Sequence, residues 1–200
     1  AIINSGVDLI LTGLAAGDQS GFSVSTAGDA NGDGYSDVIV SAPLNDAIGA
    51  NAGRAYIYFG GSTMNNSADV ILSGATANDQ YGTSVSSAGD FNGDGFSDVI
   101  AGANLNDAGG SNAGRAYIYY GGSVMNSVVD ITLTGLAASD QFGLSVSTAG
   151  DINGDGYGDV IAGALLNDGG GSNAGRAYIY YGGSSPDNTA DVLLTGAAVG

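Results

Sequence analysis

Apolar and polar positions along this chain alternate in short bursts, each about one strand long and each followed by a turn rich in Gly, Asn and Asp. Helix-favouring Glu and Lys are missing. The pattern predicts four strands in a unit that repeats. The first lies around Gly21–Ala27, with copies at Gly82–Ala88 and Gly143–Ala149. The second spans Asp37–Ala42, Asp98–Ala103 and Asp159–Ala164. The third is Arg54–Phe59, with copies starting at Arg115 and Arg176. The fourth is Val70–Ser73, with copies starting at Ile131 and Val192.

The repeat length is 61 residues, and between Ser62–Gly122 and Ser123–Gly183 the residues are identical at 43 of 61 positions without a gap. Four short strands per unit of this length predict an all-β fold of β-propeller blades, each an antiparallel four-stranded sheet. The expected boundaries are 14–74, 75–135 and 136–196 for the blades. Residues 1–13 read as an extra outer strand of a preceding blade, with its core at Val7–Leu11, and 197–200 as the start of the next repeat. A closed propeller takes about four or more blades. Three units therefore point to a homo-oligomer or to a longer propeller chain.

Composition sharpens this picture. All 20 acidic residues are Asp, the three basic residues are Arg, and His and Cys are missing. The net charge of −17 excludes ordinary nucleic-acid binding, which needs a basic face. No apolar run is long enough for membrane insertion. Without Cys or His, thiolate metal sites, disulfides and imidazole catalysis are excluded.

Nine of the acidic residues fall in one motif, present three times: DANGDGYSD from Asp29, DFNGDGFSD from Asp90 and DINGDGYGD from Asp151. Side-chain oxygens stand at the first, third, fifth and ninth positions, with Gly at the fourth and sixth. Hard Ca²⁺ takes roughly six to eight oxygens, and a tight Gly-containing loop can gather them. The candidate metal ligands are Asp29, Asn31, Asp33 and Asp37; Asp90, Asn92, Asp94 and Asp98; and Asp151, Asn153, Asp155 and Asp159. Tyr35, Phe96 and Tyr157, at the seventh position, offer a backbone carbonyl. About one Ca²⁺ per repeat, three in all, would bring the net charge from −17 to −11. The EF-hand closes with a bidentate Glu where this chain has Val40, Ala101 or Ala162, so the loop is not an EF-hand. The bland alternative is an Asx-rich turn with no ion.

The units resemble FG-GAP repeats, the blades of integrin α-subunit propellers. The first half of the name stands as Phe142-Gly143 and Tyr81-Gly82, and the second as Ser41-Ala42-Pro43, Gly102-Ala103-Asn104 and Gly163-Ala164-Leu165. The resemblance implies Ca²⁺ in the loop between the first two strands of each blade. It implies an extracellular or cell-surface module for adhesion or protein–protein contact, without catalysis. A carbohydrate-binding propeller with a glycan ligand, or a structural subunit of a surface assembly, is the alternative. The single Arg of each unit is expected to pair with a nearby Asp. The tyrosine stripe (Tyr56, Tyr58 and their copies) is expected to pack between blades. The turns Asn45–Ala52, Asn106–Ala113 and Asn167–Ala174 are the candidate binding surface.

Overall fold

The computed structural model describes residues 9–197. Among the described residues twelve strands form three antiparallel sheets of four, and each sheet is a simple meander in chain order. The first sheet holds β1 (Val24–Gly28), β2 (Asp37–Ala42), β3 (Arg54–Tyr58) and β4 (Val70–Ser73). The second holds β5 (Ser84–Gly89), β6 (Asp98–Ala103), β7 (Arg115–Tyr119) and β8 (Ile131–Thr134). The third holds β9 (Phe142–Gly150), β10 (Asp159–Ala164), β11 (Arg176–Tyr180) and β12 (Val192–Thr195). These are propeller blades, stacked face to face.

Burial explains the strand sequences. In β6 all six residues of DVIAGA are buried, because the middle sheet has a neighbour on each face. Small residues let the sheets approach. A Cβ on Gly102 would strike the Gly143 carbonyl, and one on Gly114 the Phe142 backbone. One apolar layer joins Ile39, Ile57 and Leu72 of the first sheet to Val85, Tyr117 and Tyr119 of the second. The next joins Ile100, Ile118 and Leu133 to Val146, Tyr178 and Tyr180. Tyr117, Tyr119, Tyr178 and Tyr180 therefore pack between blades, as expected, whereas Tyr56 and Tyr58 form a separate cluster on the outer face of the first blade. Tyr81 sits between Tyr117 and Tyr119, with ring centroids 5.7 and 6.4 Å away, and Phe142 lies 5.2 Å from Tyr178.

Several expectations change, and β5, like β1, starts later than its pattern predicts, at Ser84 rather than Gly82. β1 begins at Val24 rather than Gly21, because Gln19 (φ 57°) and Gly21 (φ 89°) turn the chain and the Phe22 amide donates to the Gln19 carbonyl. β9 keeps the longer form and starts at Phe142. The Arg side chains do not take an Asp partner through Nε. That nitrogen donates to Ser73 Oγ, Thr134 Oγ1 and Thr195 Oγ1 on the adjacent outer strand.

Of the extra strand expected at Val7–Leu11, Val7 and Asp8 lie outside the described residues, as do residues 198–200 of the next repeat. Leu9–Leu11 join no sheet. Leu11 packs on the free face of the first blade against the cluster of Val40, Tyr56 and Tyr58.

Candidate metal centres

Each loop leaves its first strand through a β-bulge. The pairing skips between Thr26 and Gly28, and again between Ser87 and Gly89, with Gly28 and Gly89 at φ 72° and 71°. An extra residue with positive φ bends the strand end, which Gly permits at no steric cost. The bend delivers Asp29, Asp90 or Asp151 to the mouth of the loop.

Backbone amides then arrange the side-chain oxygens. Asp29 Oδ1 accepts from the Asp33 amide at 3.0 Å and Oδ2 from the Gly34 amide at 2.9 Å. Asn31 Oδ1 accepts from Asp33 N at 3.0 Å, while its Nδ2 donates to Asp33 Oδ2 at 2.9 Å. Asp33 Oδ1 accepts from the Tyr35 amide at 2.9 Å. Loop three repeats this web, and loop two repeats it except for the bond to the first Asp Oδ1. Asp90 Oδ2 accepts from Gly95 N, and Asp94 Oδ1 from Phe96 N. Asn92 Nδ2 and Asn153 Nδ2 donate to Asp94 Oδ2 and Asp155 Oδ2. Asp151 Oδ2 accepts from Gly156 N, and Asp155 Oδ1 from Tyr157 N.

The ninth-position residue sits differently. Asp37, Asp98 and Asp159 are fully buried. Asp37 spans the loop and the neighbouring hairpin: Oδ2 accepts from Ala30 N and Oδ1 from Gly60 N, both at 2.8 Å. Asp98 does the same with Phe91 N and Gly121 N, and Asp159 with Ile152 N and Gly182 N. The structure thus gathers positions one, three and five at an open rim and holds position nine beneath it. Among the described residues no three carboxylates converge into a ready-made metal cluster.

One observation fits a hard cation to this donor set. Asp90 Oδ1 is buried and has no hydrogen-bond partner, an arrangement that usually costs free energy unless something outside the chain supplies the contact. Burial pushes the Asp98 carboxyl up to about 7, although the Gly121 and Phe91 amides pull it down, and the nearby Asp94 carboxylate raises it further. A positive ion nearby opposes both the burial and the repulsion. Asp37 is raised for the same first reason, desolvation.

Sequence reasoning missed a second repeated feature. At the opposite end of the strands from the cation loops, Asn45 Nδ2 donates to Asp18 Oδ2, Asn106 to Asp79 and Asn167 to Asp140, each pair buried and 27 residues apart. These bonds tie the turn before the first strand to the turn after the second. In the middle blade the two turns border a cleft of about 450 Å³ whose lining includes Asp79, Asn106, Asn112 and Arg115. The available signal was the in-phase recurrence of Asp-Gln and Leu-Asn-Asp.

The profile of the FG-GAP repeat matches residues 20–58, 81–119 and 142–180, which together exceed half the chain. Integrin alpha-5 of Xenopus laevis is 34% identical over 177 residues, 82% of this chain and 17% of that protein. Integrin alpha-11 of Homo sapiens is 35% identical over 148 residues, 71% of this chain and 12% of that protein. Phosphatidylinositol-glycan-specific phospholipase D of Bos taurus is 30% identical over 172 residues, 80% of this chain and 20% of that protein. The chain therefore spans a fifth or less of the length of these relatives.

Proposed function

The chain belongs to the FG-GAP repeat family, and on that footing we propose that it serves as a calcium-stabilised, extracellular β-propeller segment for adhesion or protein–protein binding, without catalysis. The observation that carries this reading is the threefold Asp-x-Asn-x-Asp-Gly loop, with its amide-organised oxygens, on blades similar to those of integrin alpha chains. Asp29, Asn31 and Asp33, with Asp37 beneath, would hold the ion in the first loop, and their equivalents in the other two. Bound Ca²⁺ would supply positive charge that offsets the repulsion among three neighbouring carboxylates. The chain's own part is to keep those oxygens on a short, Gly-curled arc, which lowers the conformational freedom lost on binding.

The similarity to a phospholipase D covers the repeats and only 20% of that enzyme. We assign the shared repeats the scaffold part. This chain lacks His and Cys, and its Asp residues in the loops and buried pairs all have hydrogen-bond roles that need no reaction. No helix among the described residues is long and apolar enough to cross a membrane.

The function is tested by coating a surface with the protein and measuring retention of cells and of extracellular proteins with Ca²⁺ or with chelator. Ca²⁺-dependent retention supports the reading. Equal, background-level retention in both overturns the adhesive role. A glycan ligand is the second reading, favoured by the cleft whose lining includes Asn78, Asp107 and Arg115 as hydrogen-bonding groups. A glycan array probed with the protein separates the two.

A further inference from the structure

The three cation loops touch one another. The seventh-position aromatic of each later loop lies on the fourth-position Gly of the loop before it. A Cβ on Gly32 would run into the Phe96 ring, and one on Gly93 into the Tyr157 ring. The next residue along continues the contact. Ser97 N donates to the Asp29 carbonyl at 3.1 Å, and Ser97 Oγ accepts from Asp29 N at 3.2 Å. Gly158 N donates to the Asp90 carbonyl at 2.8 Å. Gly122 N and Gly183 N donate to the Ala30 and Phe91 carbonyls, also at 2.8 Å. The backbone of the first ligand residue in one loop is therefore pinned by the residue between the seventh and ninth positions of the next. Ala30 and Phe91 are fully buried by this arrangement, whereas Ile152 in the last loop is 49% exposed.

We infer that the loops bind Ca²⁺ as a coupled series, and that Phe96 and Tyr157 are the positioning residues that carry the coupling from loop to loop. The inference rests on the calcium reading above. Its physical content is shared order. An ion in the first loop fixes the Gly32 backbone, and with it the surface on which the Phe96 ring rests. The Phe96 backbone belongs to the second loop, and its amide already bonds Asp94 Oδ1. Fixing it in advance lowers the ordering cost of the second ion, which is positive cooperativity without a change of shape. Tyr157 repeats the step from the second loop to the third. The first loop has no such partner before it among the described residues, and Tyr35 is 49% exposed.

The test uses the whole chain and Ca²⁺ itself. Amide hydrogen exchange is followed at Gly95 and Phe96 while Ca²⁺ is titrated, in the unaltered protein, in Asp33→Asn, in Phe96→Leu and in the double variant. Asp33→Asn weakens the first loop only. The expected result is that it raises the Ca²⁺ concentration needed to protect the second loop by about fivefold or more. In the Phe96→Leu background the same change has a clearly smaller effect on the second loop, and an undiminished effect there overturns the role given to Phe96. A melt in chelator close to that of the unaltered protein establishes that Phe96→Leu folds, and Phe96→Tyr, as at the equivalent Tyr157, restores the coupling. Second-loop protection at the same Ca²⁺ concentration with and without Asp33→Asn overturns the coupling and leaves the calcium reading standing. Absence of any Ca²⁺-dependent protection overturns both.

Discussion

At the scale of single residues, the glycines of the cation loops separate two effects that usually travel together. Gly32 and Gly154 are equivalent, with φ of 75° and 77°, so a side chain strains either backbone equally. Only Gly32 faces a neighbour, the Phe96 ring; Gly154 faces open space. Gly154→Ala should cost about 1–2 kcal/mol from the left-handed backbone alone. Gly32→Ala should cost roughly 1–3 kcal/mol more from overpacking, a difference read by denaturant unfolding of the two variants. The buried tyrosines supply a pH test. Burial pushes the Tyr119 hydroxyl up to about 12 from an ordinary value of 10.0, and the fully buried Tyr81 well above it. Between those values the unfolded chain loses phenolic protons that the folded chain keeps. Stability is unaffected by these groups below pH 10, then falls as pH rises through the window to about 12. Tyrosinate absorbance of these residues should appear together with loss of β-structure. If it appears well before unfolding, the hydroxyls are not shielded as described.

At the scale of elements, the buried Asp–Asn pairs act as staples between turns. Asp79→Ala leaves Asn106 Nδ2 buried without its partner and should destabilise by about 1–3 kcal/mol, whereas Asp107→Ala, at an exposed turn position, should cost less. Equal melting of the two variants would contradict the staple. This scale also marks the limit of what the sequence displayed. Strands β2, β3 and β4 and the three loops were legible because their signals are local: alternation within a strand, and Gly beside Asp in a turn. The start of β1 was not, because positive φ at Gln19 and Gly21 leaves no trace in an apolar–polar pattern. The Asp79–Asn106 pair escaped because its partners are 27 residues apart, on turns whose meeting depends on the finished meander. The burial of Asp37, Asp98 and Asp159 was hidden for a related reason: the amides of Gly60, Gly121 and Gly182 that hold them come from another hairpin of the same blade.

At the scale of the whole molecule, the blades are joined by apolar layers and by hydrogen bonds that pass through the cation loops themselves. A chain with net charge −17 concentrates much of that charge in these loops, so cations bound there would favour the stacked form. Removing an interlayer anchor should be costly: Phe142→Ala, at a fully buried ring against Tyr178 and Tyr180, should lose about 3–5 kcal/mol. The most direct measurement of the central claim is a thermal melt of the metal-free protein over a Ca²⁺ titration, with bound Ca²⁺ counted by calorimetry. Each site filled at about 100 times its Kd adds roughly 2.7 kcal/mol, a rise of about 5–10 °C in Tm per site. The account predicts a Tm that climbs with Ca²⁺ and saturates as three ions bind. A Tm that does not move, with no bound Ca²⁺, would contradict it and leave the loops as Asx turns.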